Sequence, residues 1–135
     1  MHNVTVQLPD SLYLRLQQTA RAMQRPFEDV LLRAVQVGSP PQWDDVPAEF
    51  QSDLSALDRL DDATLWRIAR ARQTPDEMVR YQELLDKKAE GELTAGEAVE
   101  LTRLRTEADR FMLRKAHAAA LLRWRGHAIP PAERL

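Results

Sequence analysis

The alternation of apolar and polar residues at the start of the chain constrains the fold more strongly than any other feature. It predicts a β-strand with two different faces: Val4, Val6 and Leu8 against Asn3, Thr5 and Gln7. No later segment has this pattern, and a lone strand leaves backbone hydrogen-bonding groups without partners. We therefore expect the strand to pair with its own copy in a homodimer. A two-stranded ribbon of this kind fits the major groove of B-DNA.

Two short helices are expected after this strand. Asp10 or Ser11 can cap the first helix, whose apolar residues recur at helical spacing: Leu12, Leu16, Ala20 and Met23. Pro26 suits the first turn of a second helix, where its missing N–H is not needed. The second apolar face consists of Phe27, Val30, Leu31 and Ala34.

The stretch VTVQLPDSLYLRLQQTARAMQRPFEDVLLRAV, from Val4 to Val35, resembles the ribbon-helix-helix family of Arc/MetJ-type DNA-binding proteins, which includes antitoxins. The resemblance implies that outward strand residues read bases, here Asn3, Thr5 and Gln7. It also implies that the start of the second helix holds a DNA phosphate, here at Arg25, Pro26 and Phe27.

The chain departs from the family pattern at both of these places. The outward strand face has no arginine or lysine, and the usual Gly-x-Ser/Thr turn is missing. Glu28 and Asp29 suit the start of a helix but disfavour a nearby phosphate. The alternative is therefore a degenerate ribbon-helix-helix that serves only for dimerisation.

The rest of the chain is expected to be helical. Residues 1–37 form the dimerisation and DNA-binding module, 38–47 a proline-rich linker, 48–127 a helical interaction module and 128–135 a flexible tail. Asp61 is expected to cap one helix. Thr74 and Thr94 begin capping-box sequences, and the short turn at Gly91 predicts a long antiparallel helical hairpin. The fold class is thus mainly α, with one short strand paired across the dimer.

The helical interaction module resembles a module of uncharacterised bacterial proteins, some near toxin or HNH-nuclease genes. This resemblance implies no chemistry for any residue.

Basic residues gather towards the end of the last predicted helix. They are Arg110, Arg114, Lys115, Arg123 and Arg125. They can complement the helix dipole, or contact an acidic partner, nucleic acid, or the protein's own acidic stretch at residues 44–62. The residues we assign to partner binding are Arg114, Lys115, Leu121, Arg123 and Trp124.

The composition offers little support for catalysis. The chain has no cysteine, and its three histidines lie far apart in the sequence: His2, His117 and His127. No phosphate-binding loop or nucleophile motif is present. We expect a protein that is not an enzyme and has no metal or cofactor. The absence of a signal peptide or long apolar run favours the cytoplasm and excludes a membrane.

These expectations combine into a dimeric transcriptional autoregulator of antitoxin type. The N-terminal module would bind operator DNA, and the helical module would bind a toxin-like or nuclease protein. The alternative is an adaptor in which the N-terminal module only dimerises the chain.

Overall fold

The computed structural model describes all 135 residues and contains six α-helices, one 3-10 turn and no strand. The chain divides into two compact units, residues 1–40 and residues 41–135. The helices are α1 (Asp10–Met23), α2 (Phe27–Val37), α3 (Ala48–Leu57), α4 (Asp62–Arg70), α5 (Pro75–Ala89) and α6 (Ala95–Trp124), followed by the 3-10 turn Ala132–Arg134.

The predicted N-terminal strand is wrong, although the mainly α class is correct. Residues 1–9 have no regular secondary structure, and Val4 and Val6 are 81% and 69% exposed. Alternation specifies which side chains would share a face, but a strand also needs a neighbour to satisfy its backbone hydrogen bonds. Residues 1–9 do not adopt a strand and pair with no other segment of the chain, so the strand of a ribbon-helix-helix fold is not present.

The first unit is a pair of short helices with very little buried surface. Pro9 and Pro26 precede α1 and α2, and neither helix begins with a side-chain cap, so the predicted capping of α1 by Asp10 or Ser11 is wrong. Gln24 ends α1 in the left-handed conformation, with a φ of 54°. Between the helices only Ala20 and Val30 are buried.

The second unit begins three of its helices with side-chain caps, as the sequence predicts. Asp61 accepts a hydrogen bond from the backbone N–H of Thr64, and Thr74 accepts one from that of Glu77. Thr94 and Glu97 form a reciprocal capping box at the start of α6. Each cap satisfies a backbone N–H that the helix itself leaves unpaired.

One core of this unit lies where α3 and α4 pack against the C-terminal half of α6. Its buried residues are Leu54, Leu57, Leu65, Ala69, Ala118, Leu121 and Leu122. Trp43 and Ile129 pack against the same core. This core therefore also holds the segment before α3, through Trp43, and the segment after α6, through Ile129.

The helical hairpin of α5 and α6 has a separate, smaller core. It consists of Leu84, Leu101 and Leu104, with Leu85 and Leu93 packed against it. Gly91 closes the turn with a φ of 75°, a conformation that glycine adopts without a steric penalty. Since α6 has 30 residues, it is about 45 Å long and contributes to both cores.

The C-terminal residues lie along the body of the second unit. Arg72 donates a hydrogen bond of 3.0 Å to the carbonyl oxygen of Leu135. None of the helices combines the length and the apolar content that crossing a bilayer requires.

Candidate interaction surface

The N-terminal residues assigned to base reading lie on an extended segment with their side chains in solvent. Asn3, Thr5 and Gln7 are all exposed. Since no strand orients them, their alternation does not place them together on a rigid face. They stay available for polar contacts, but the structure supplies no element that would insert them into a groove.

The three residues assigned to phosphate binding occupy the junction between α1 and α2. Arg25 and Pro26 are exposed, whereas Phe27 is half-buried with its ring 5.3 Å from the ring of Tyr13. Arg25 also lines a shallow pocket with Arg33 and Asp29. The carboxylate of Asp29 therefore lies in the pocket where these two arginines could otherwise attract an anion.

The most unusual surface of the first unit is formed by α2. Seven of its 11 residues are apolar, yet only Val30 is buried. At 100° per residue, Leu31, Leu32 and Val35 project from one continuous side of the helix. Leu32 and Val35 are 58% and 59% exposed. We call these three residues the α2 apolar surface.

Further apolar side chains are exposed on α1. Leu14 and Met23 are 52% and 51% exposed, and Leu12 and Tyr13 are only slightly more covered. Single exposed apolar residues are ordinary in soluble proteins, but so many within one short helix pair indicate an interaction surface. The sequence placed Leu12, Met23 and Leu31 on apolar helix faces, but periodicity does not reveal how much of such a face its neighbour covers.

The residues assigned to partner binding do not form a single surface. Leu121 is 3% exposed within the first core, and Lys115 donates a hydrogen bond to the carbonyl oxygen of Ala71. Arg114 is half-buried, Arg123 is exposed, and Trp124 is 51% exposed. Leu121 and Lys115 are therefore used within the body, whereas Arg123 and Trp124 are exposed on its surface.

Two members of the basic cluster contact the protein's own acidic stretch, as one interpretation of the sequence predicted. Arg110 lies 2.7 Å from Asp53, and Arg125 lies 2.9 Å from Asp62. Arg125 also donates to the carbonyl oxygen of Leu60. The hydrogen bonds from Arg125, followed by that from His127, hold the pKa of the Asp62 carboxyl below its usual value.

The histidines of α6 and the following segment are also engaged with acidic residues. His117 is buried, and its Nε2 lies 2.8 Å from Oδ1 of Asp58. The Nε2 of His127 lies 2.7 Å from Oδ2 of Asp62. The structure contains no group of three or more histidine, cysteine, aspartate or glutamate residues placed to hold a metal ion.

The hairpin carries its own ion pairs. Arg80 forms two 2.8 Å hydrogen bonds with the carboxylate of Glu100, and Lys87 lies 2.6 Å from Glu97. Lys87, together with the backbone N–H of Thr94, lowers the pKa of Glu97 to about 2. The Arg80 guanidinium likewise lowers the pKa of Glu100.

Compared with models of known protein families, with curated proteins and with solved structures, the chain matches none of them. The resemblance of residues 4–35 to the ribbon-helix-helix family therefore stays a prediction from the sequence.

Proposed function

We propose that this protein is a homodimeric adaptor. Its N-terminal helix pair, α1 and α2, associates with the same pair in a second copy, and the body formed by residues 41–135 binds a partner protein. The observation that carries this proposal is the α2 apolar surface, because α2 is mostly apolar and buries only one side chain.

A second copy of the chain is the occupant that best fits this surface. A unit of about 40 residues rarely buries enough apolar surface to be stable without additional support such as disulfides or oligomerisation. The chain has no cysteine, so disulfides cannot provide that support. Every copy presents the same apolar side chains, so a two-fold symmetric contact would cover both sets at once.

The proposal includes no catalytic step and no cofactor. The two histidines of the body each contact a carboxylate that also binds another part of the same unit: His117 through Asp58 and His127 through Asp62. Such contacts support a structural role for both. We propose a cytoplasmic location, with which the lack of cysteines is compatible because the fold needs no disulfide.

The first test changes the α2 apolar surface. Val35→Lys places a charge on this surface, and light scattering across a concentration series should show a mass close to one chain instead of two. Val79→Lys is the matched control, because Val79 on α5 is 58% exposed and Val35 is 59% exposed. The control should remain dimeric. A wild-type protein that is monomeric at every concentration would overturn the proposal.

A second candidate function is that of an antitoxin-type autoregulator that binds its operator. The exposure of Thr5 and Gln7 favours it, because both side chains are available for contacts with bases. Fluorescence anisotropy with a duplex from upstream of the gene would test it at two salt concentrations, beside a scrambled duplex. Preferential, salt-sensitive binding that Thr5→Ala/Gln7→Ala abolishes would support this function. Equal binding to both duplexes would exclude it.

A further inference from the structure

An open groove of about 370 Å³ runs between the first half of α5 and the middle of α6. Its apolar lining consists of Met78, Tyr81, Leu104, Ala108 and Met112. Met78 and Met112 are 56% and 67% exposed. Methionine side chains are flexible and polarisable, so a methionine-lined surface can adapt to differently shaped apolar partners.

The groove lies where α6 passes between the two cores of the body. The hairpin core ends at Leu104, and the next buried residue on α6 is His117. The intervening 12 residues correspond to about 18 Å of helix with no fully buried side chain. Ala108 and Met112 are one turn apart on this stretch, and its length of about 18 Å allows contact with several turns of another helix.

The charged residues that line the groove are all acidic. Its lining includes Glu77, Glu107 and Asp109, and no lysine, arginine or histidine. Glu107 is paired with Arg103 at 3.0 Å. The carboxylates of Glu77 and Asp109 form no ion pair. The groove thus combines an apolar lining with neighbouring carboxylates. It complements an amphipathic helix that has leucines or similar apolar residues on one face and lysines or arginines flanking that face.

We propose that this groove binds a basic amphipathic helix of a partner protein. Apolar side chains at i, i+3 or i+4, and i+7 of that helix would pack on Met78, Tyr81 and Met112, and flanking lysines or arginines would approach Glu77 and Asp109. The inference rests on the proposed adaptor function, because it takes the body as the part that binds the partner. It adds the position of the contact and the chemistry of the partner.

The test uses the full chain and a fluorescein-labelled helical peptide with leucines at i, i+3 and i+7 and lysines beside them. Its counterpart carries glutamate in place of every lysine. In anisotropy titrations, the basic peptide should bind at least tenfold more tightly than the acidic one. Equal affinities of the two peptides would overturn the proposal, since the carboxylates would then contribute no selectivity.

Two pairs of variants locate the binding. Glu77→Lys/Asp109→Lys should weaken the basic peptide about tenfold, whereas Glu90→Lys/Glu92→Lys, with the same change of net charge, should have little effect. Met112→Ser should weaken binding at least fivefold, whereas Val99→Ser, on an exposed part of the same helix, should not. Circular dichroism checks that each variant is folded. Equal effects within both pairs would overturn the assignment to this groove.

Light scattering separates this inference from the proposed function. The Val35→Lys variant should still bind the basic peptide, because the groove lies entirely within residues 73–112. Loss of dimerisation on Met112→Ser would instead show that the groove holds a second copy, which would overturn the proposal of a basic partner.

Discussion

Asp58 connects three segments of the body through one residue. Its carboxylate accepts a hydrogen bond from the indole N–H of Trp43 and contacts the buried His117, at 2.9 and 2.8 Å. Its backbone carbonyl accepts a longer bond from Arg125. The sequence showed Asp58 only as one acid among several in a charged stretch, because a contact across 59 positions has no local signal.

Glu97 should make the stability of the protein depend on pH. Its folded pKa of about 2 lies below the ordinary value of 4.5, so its contribution is fully present above pH 4.5 and is lost as the pH falls towards 2. In urea unfolding between pH 6 and pH 3, Glu97→Gln should therefore lose less stability than the wild type on acidification.

Glu92→Gln is the control for this prediction, because Glu92 is exposed and forms no ion pair. Its stability should change with pH as that of the wild type does. An unchanged pH dependence in Glu97→Gln would show that Lys87 and Thr94 do not stabilise the ionised carboxylate.

At the scale of the helices, the C-terminal half of α6 is held mainly by apolar contacts. Leu122 is completely buried among residues of α3 and α4. Leu122→Ala should lower the free energy of unfolding by about 2–5 kcal/mol, since it leaves a cavity in a packed core. Val99→Ala, at a position 72% exposed on the same helix, should change it by less than about 0.5 kcal/mol. Urea unfolding followed by circular dichroism would measure both, and similar losses would contradict the assignment of the core.

Three helices of the body, α4, α5 and α6, were predictable because their starts have local chemical signals. Asp61, Thr74 and Thr94 cap helices through residues three positions further on. Residues 1–9 carried a local signal too, but a strand requires a partner that local patterning cannot supply. The acidic groove escaped prediction because it depends on the distance between two helices, which the separate pattern of each helix does not contain.

At the scale of the whole molecule, the protein should become more stable as its concentration rises. If α1 and α2 associate between copies, unfolding is coupled to dissociation and the thermal midpoint increases with concentration. Scanning calorimetry over a hundredfold range should show this increase for the wild type and for Val79→Lys. The midpoint of Val35→Lys should be independent of concentration, and a wild-type midpoint that never changes would argue against an obligate dimer.

The 30-residue α6 packs into a core near each end and has no fully buried side chain between Leu104 and His117. Its N-terminal part packs in the leucine core of the hairpin, and its C-terminal part packs in the core shared with α3 and α4. Between these cores, Arg110 pairs with Asp53 and Lys115 donates to the carbonyl oxygen of Ala71, so polar contacts also hold the middle of α6 to the rest of the body. A ligand that binds beside Ala108 and Met112 would therefore meet a preorganised surface, and little of its binding free energy would be lost in ordering the protein.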